Sequence, residues 1–213
     1  MVMTPQGSES VVRAAPAGPR TSEVRRRWRR ANAIGFVIGW FLYSLVGHGF
    51  TGGHGEELTW LQYFSHSLGL LAVAGVVFGL QRRAILEHVD VSNRRMGIGA
   101  AAVLASFWLG AETVGPPADW ILAFTVLAAA TWIGKSKSVT WSALTILCFW
   151  AGIAAAAGTI FLLVRTGLFY PDSVTIVNHT LFWVILGGVT GVAGGFFSSW
   201  PLSRVLAVRA EVK

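Results

Sequence analysis

The side chains in this 213-residue chain that are suited to chemistry gather where apolar segments begin. His66 opens one segment within Ser-His-Ser-Leu, and His179 opens another within Asn-His-Thr-Leu. Imidazole and carboxylate groups ringed by indoles suit a pocket for a small molecule. The candidate ligand-binding residues are His66, Glu112, Asp119, Asn178, His179, Trp60, Trp120 and Trp183. Tryptophan and polar side chains also collect at the two faces of a bilayer, which is the competing interpretation.

A second group of histidines and carboxylates lies in the glycine-rich segment 47–57. His48 and His54 lie there with Glu56 and Glu57. Zinc or copper could bind these side chains, with His66 and His179 as further weak candidates. Their spacing matches no established ligand pattern, so a flexible connector is the favoured interpretation.

His66 and His179 also permit a third hypothesis, a b-type haem held between two helices at equal depth. No second pair of histidines lies within the apolar segments. Cys148 is the one cysteine, which excludes thiolate-bound zinc and iron–sulfur clusters. No nucleophile elbow, phosphate loop or dinucleotide fingerprint is present. We therefore expect a protein that is not an enzyme.

The elements that position these residues are predicted to be membrane-spanning helices. Hydrophobic residues make up 54% of the chain and charged residues 13%, about half the charged share of a soluble domain. About 20 apolar residues cross a bilayer. The sequence predicts an all-α integral membrane protein, a bundle of six spanning helices. The predicted spans are 31–50, 63–80, 96–113, 118–133, 139–164 and 174–199.

Basic residues predict the orientation of the spans. With the N-terminus in the cytoplasm, all of the 17 Lys and Arg residues except Arg165 fall on the cytoplasmic side. The sequence therefore predicts a protein of a cell (inner) membrane with both termini on the cytoplasmic side. The cluster from Arg25 to Arg30 is predicted to contact anionic lipids there. Residues 1–24 are expected to form a disordered tail, residues 25–203 the transmembrane domain, and residues 204–213 a second cytoplasmic tail.

Glycines recur every four residues, which places them on one face of a helix. Such faces let helix backbones approach closely within a bilayer. The predicted packing residues are Gly35, Gly39, Gly75, Gly79, Gly187, Gly191 and Gly195. The similar openings around His66 and His179 further suggest three helical hairpins of similar design.

These features leave three functional hypotheses open. The favoured one is a non-enzymatic accessory or scaffold subunit of a larger membrane assembly, which binds another membrane protein or forms a homo-oligomer. The first alternative is a small-solute transporter or solute-binding subunit with an outer-facing pocket. Six helices in about this length, with both termini inside, resemble the substrate-binding component of energy-coupling-factor vitamin transporters; the resemblance is architectural and carries no binding residues. The second alternative is a membrane anchor holding b-type haem. No nucleic-acid partner is expected.

Overall fold

A computed structural model describes residues 21–48, 60–85, 93–113, 125–127, 139–169 and 176–211. These residues are helical except for 166–169, and none of them lies in a strand. The five long helices are α1 (Thr21–His48), α2 (Trp60–Ile85), α3 (Asn93–Thr113), α4 (Val139–Arg165) and α5 (Ile176–Glu211). The chain is therefore all-α throughout its described part.

Three of the described helices are long and apolar enough to cross a membrane. These stretches are Trp60–Ile85 in α2, Ala143–Arg165 in α4 and Val177–Leu202 in α5. Met96–Leu109 in α3 is a shorter apolar stretch. These helices are compatible with a membrane protein.

Helix α1 packs antiparallel along α2, and two glycines of α1 lie at the contact. A Cβ atom added at Gly35 would lie 3.3 Å from the Val77 Cα, and one at Gly39 would lie 3.1 Å from the Val73 Cα. The two backbones are therefore close enough that a larger side chain would force them apart. Both glycines are among the predicted packing residues.

The opposite side of α1 packs antiparallel along α5, where the glycines belong to α5. A Cβ atom at Gly191 would lie 2.6 Å from the Phe36 Cβ and 2.7 Å from the Asn32 carbonyl oxygen. Gly195 faces the Asn32 side chain in the same way, and Gly187 faces the Trp40 indole. Helix α1 is thus the central element, held between α2 and α5.

The remaining contacts add one helix to each side. Helix α4 packs on α5, with Gly152 close to the Thr190 carbonyl oxygen. Helix α3 has a smaller contact with α2. Gly167, with a φ of 71°, ends α4 because it adopts a left-handed conformation that favours glycine.

This arrangement places the start of α1, the end of α2 and the end of α5 together, and we call this the arginine end of the bundle. Among the arginine side chains that the structure describes, all except Arg165 lie there, on α1, on the last turn of α2 or on the first turn of α3. Arg165 closes α4 at the opposite end. The described arginines other than Arg165 therefore lie at one end of the bundle.

Several boundaries differ from the sequence prediction. Helix α1 begins at Thr21, so residues 21–24 of the predicted tail are helical, and Val24 is buried with Trp28 against Ile85 and Leu202. Helix α5 continues to Glu211, so it includes most of the second predicted tail. Pro201 lies within this helix. Of the predicted fourth span, 118–133, only residues 125–127 are described, and they are helical.

Two predicted packing glycines do not take part in close contacts. No heavy atom of the described structure lies within 4 Å of a Cβ built at Gly75 or at Gly79. Helix α2 instead presents Val73 and Val77 to α1. The spacing of glycines on α2 therefore marks a face that is open in this structure.

Candidate functional site

Five aromatic and imidazole side chains from three helices meet at the end of the bundle opposite the arginine end. We call Trp40, Tyr43, His66, His179 and Trp183 the aromatic cluster. The Trp40 and Trp183 rings stack with centroids 4.9 Å apart and planes 6° apart. Tyr43 meets Trp183 edge-on at 4.8 Å and stacks on His66 at 5.8 Å. The two predicted histidines are thus joined through rings contributed by α1 and α5.

Each histidine of the aromatic cluster is engaged by a neighbouring aromatic side chain. A hydrogen bond joins the Tyr43 hydroxyl to His66 Nδ1. The Trp183 indole N–H donates to His179 Nε2 at 3.0 Å, one turn along α5. Because an indole can only donate, His179 Nε2 must be unprotonated, and the neutral ring then carries its proton on Nδ1.

This tautomer bears on the metal and haem hypotheses. A metal or haem iron needs a ring nitrogen with an available lone pair. In the observed geometry the His179 Nε2 lone pair accepts from Trp183, and Nδ1 carries the proton. His179 therefore does not fit an axial haem ligand or a metal ligand as it is positioned here.

The other predicted site residues are not all brought to the aromatic cluster. Trp60, at the start of α2, is 77% exposed, whereas Asn178 is half-buried beside His179. Asp119 and Trp120 lie outside the described residues, as does the side chain of Glu112. The structure thus unites three of the eight predicted ligand-binding residues: His66, His179 and Trp183.

The predicted metal group in segment 47–57 lies almost entirely outside the described residues. His48 ends α1, and His54 falls beyond it. Within the described part of the chain, no group of three or more His, Cys, Asp or Glu side chains is placed to hold a metal ion.

Polar side chains that the sequence analysis passed over form a second group nearer the arginine end. We call Trp28, Asn32, Gln81 and Ser198 the amide network. Gln81 Nε2 donates to Asn32 Oδ1 at 2.8 Å, and Asn32 Nδ2 donates to the Trp28 carbonyl at 2.9 Å. The Trp28 indole donates to Ser198 Oγ at 2.9 Å. All four residues are at most 2% exposed, so the network ties α1 to α2 and α5 inside the bundle.

The sequence contained a signal for this network. Amides within apolar helices are costly unless another helix satisfies them, so Asn32 and Gln81 each required a partner. In the sequence, however, Gln81 directly precedes Arg82 and Arg83, which is typical of a helix end. Tyr43 and Trp40 were missed for a similar reason, because aromatic residues near the end of a span also suit the bilayer interface.

Comparisons with models of known protein families, with curated protein sequences and with solved structures gave no match.

Proposed function

We propose that this chain is a six-span integral protein of a cell membrane, with both termini in the cytoplasm. The grouping of arginines at the start of α1, the end of α2 and the start of α3 supports this orientation, because Lys and Arg are retained on the cytoplasmic side. The antiparallel packing of α1 and α5 also supports it, since it puts the two ends of the chain's helical part on one side.

Within that membrane, we propose a non-enzymatic role as an accessory or scaffold subunit that binds another membrane protein. The observation that carries this proposal is the exposure of α4. Only 17% of its apolar span is buried, against 44% for the span of α2. Leu147, Phe161 and Leu162 are 61–64% exposed on it. A helix of this length and apolarity therefore retains a large face for a neighbour.

The exposed face of α4 has the shape that a partner helix needs. Ala151, Ala155 and Gly158 recur at intervals of four and three residues, all exposed, with Leu147 and Leu162 at either end. No heavy atom of the described structure lies within 4 Å of a Cβ built at Gly158. Small residues at this spacing let two helix backbones approach closely in lipid.

The aromatic cluster also supports the scaffold proposal, because of how its histidines are bonded. Its two histidines are used in hydrogen bonds that join or brace α1, α2 and α5. A solute pocket would require such groups to face a cavity. The His66 bond joins α2 to α1 and the His179 bond lies within α5, so both imidazoles make contacts inside the bundle, which favours a scaffold over a transporter.

Site-specific photo-crosslinking in native membranes tests the proposal. A photoreactive amino acid at Leu162 of α4 is compared with one at Ile38 of α1, which is 42% exposed and serves as the matched control. We expect one protein adduct of discrete size from position 162, and none from position 38. Gly158→Leu should abolish the adduct, because the added side chain occupies the space into which the partner helix packs against α4.

Several outcomes would overturn the proposal. Equal adducts from both positions, or none from either, would remove the special role of α4. Adducts that contain two differently tagged copies of this chain would replace the accessory role with self-assembly. An ATPase pair recovered in stoichiometric amount would favour a transporter, and a Soret absorption band would favour a haem protein.

A further inference from the structure

An open groove of about 610 Å³ lies at the arginine end, between α1 and α5. Four arginines of α1 line it on one side: Arg25, Arg26, Arg29 and Arg30. Val192 and Phe196 of α5 line it on the other side. The groove therefore combines a strongly cationic wall with an apolar one.

The described lining of the groove is rich in positive charge. Its lining, in the described part of the chain, includes no Asp or Glu. The nearest acidic residue in sequence, Glu23, forms an ion pair at 2.7 Å with Arg27, which does not line the groove. Four guanidinium groups within fewer than two turns of helix thus favour an anionic occupant.

Arg29 is held in a defined position beside this groove. Its Nε donates to Ser199 Oγ at 3.0 Å, and its guanidinium carbon lies 4.1 Å from the centre of the Phe196 ring. A guanidinium fixed in this way keeps its terminal N–H groups in a planar fork, which matches the geometry of a phosphate.

The depth of the groove distinguishes a lipid from a soluble anion. Val192 and Phe196 lie within the apolar span Val177–Leu202 and are more than half exposed, so they face the bilayer. Arg29 lies level with Ser199, three residues before the end of that span, or about 4.5 Å along the helix axis. The arginine wall therefore lies near the end of the apolar span, beside Phe196, and the apolar wall continues deeper into the span as far as Val192.

We propose that this groove is a binding site for one anionic phospholipid. The arginines hold the phosphate, and an acyl chain lies along Val192 and Phe196. This inference goes beyond a general attraction of basic residues to a charged surface, because it requires one lipid at one place on the α1–α5 interface.

The test uses the full chain purified in a zwitterionic environment and titrated with dioleoyl phosphatidylglycerol, with bound lipid counted by native mass spectrometry. Arg26→Gln/Arg30→Gln removes two exposed charges from the groove. Arg83→Gln/Arg94→Gln removes two exposed charges from the same end, outside the groove, and is the matched control. We expect one retained phosphatidylglycerol, bound about tenfold more weakly by the groove variant, and unchanged binding by the control.

Two further arms identify the source of the anion. Dioleoyl phosphatidylcholine and inorganic phosphate replace phosphatidylglycerol in parallel titrations. Equal losses of phosphatidylglycerol affinity in the groove variant and the control variant would show that surface charge alone explains the binding, and would overturn the proposal. Binding of inorganic phosphate or of phosphatidylcholine as tight as that of phosphatidylglycerol would also overturn it, as would Phe196→Ser leaving the lipid affinity unchanged.

Discussion

The aromatic cluster and the amide network perform the same task at different positions along α1, with different chemistry. Both join α1 to α2 and α5. The cluster relies on ring contacts, with hydrogen bonds at its edge and half-buried histidines. The network is a continuous chain of hydrogen bonds among residues that are at most 2% exposed.

This difference determines what a substitution costs at each place. In the network, removing one partner leaves another buried polar group without a hydrogen bond, which costs about 1–3 kcal/mol. In the cluster, ring burial survives the loss of a single hydrogen bond. A substitution in the amide network should therefore lower the free energy of unfolding more than a comparable substitution in the aromatic cluster.

The largest effect is expected where α1 and α5 are closest, between the two groups. Gly191→Leu would place a side chain against the Phe36 Cβ and the Asn32 carbonyl, neither of which can move without moving α1. We expect a loss of at least about 3 kcal/mol in the free energy of unfolding in detergent. Gly75→Leu, with open space around it, is the matched control and should cost little. Equal losses would show that the close approach is unimportant.

The second prediction concerns the amide network. Gln81→Met keeps the volume of the side chain but removes the donor to Asn32 Oδ1. We expect a loss of about 2 kcal/mol. Asn32→Leu should cost a similar amount, and the double variant should cost less than the sum because the two residues share one hydrogen bond. Strict additivity in a denaturant titration would contradict the network.

The third prediction concerns the aromatic cluster. Tyr43→Phe removes the hydroxyl that bonds to His66 and leaves the ring in place against Trp40 and Trp183. We expect a loss of about 1 kcal/mol, measured as for Gln81→Met. A loss larger than that of Gln81→Met would reverse the comparison between the two groups.

The smallest expected effect is the coupling between the two histidines. His66→Gln and His179→Gln each disturb a different hydrogen bond, but the bonds are linked through the Tyr43–Trp183 contact. We expect the double variant to fall short of additivity by about 0.5 kcal/mol. Full additivity would mean that the cluster consists of two independent contacts, and three silent variants would leave the histidines without a role.

Helices were predictable from the sequence where an apolar run was long, and less so where charge interrupted it. The segments around α2, α4 and α5 were predicted as spans because their apolar runs are continuous. The predicted tail ended at residue 24, because residues 1–24 are rich in Ala, Pro, Gly and Ser, and the predicted first span began only at residue 31, after five arginines between Arg25 and Arg30. Trp28 among them was the contrary signal, since a buried indole needs a partner helix.

The glycine pattern shows why the site was only partly predictable. Spacing places Gly35 and Gly39 on one face, and likewise Gly75 and Gly79, but it does not state which face meets a neighbour. The face that meets a neighbour depends on how each helix is rotated about its own axis, and side-chain packing between the two helices determines that rotation. The same limit applies to Gln81, whose position in sequence suits a helix end and whose side chain turns inward to Asn32.

The central position of α1 has a consequence for the order of assembly during synthesis. The partners of α1 on α2 follow it by tens of residues, since Gln81 is 49 residues after Asn32. Its partner Ser198 on α5 is 170 residues after Trp28. At about 5–20 residues per second, a ribosome adds that length in roughly 10–35 s. Helix α1 must therefore wait, with only its contacts to α2 formed, until α5 has been made and can pack against it.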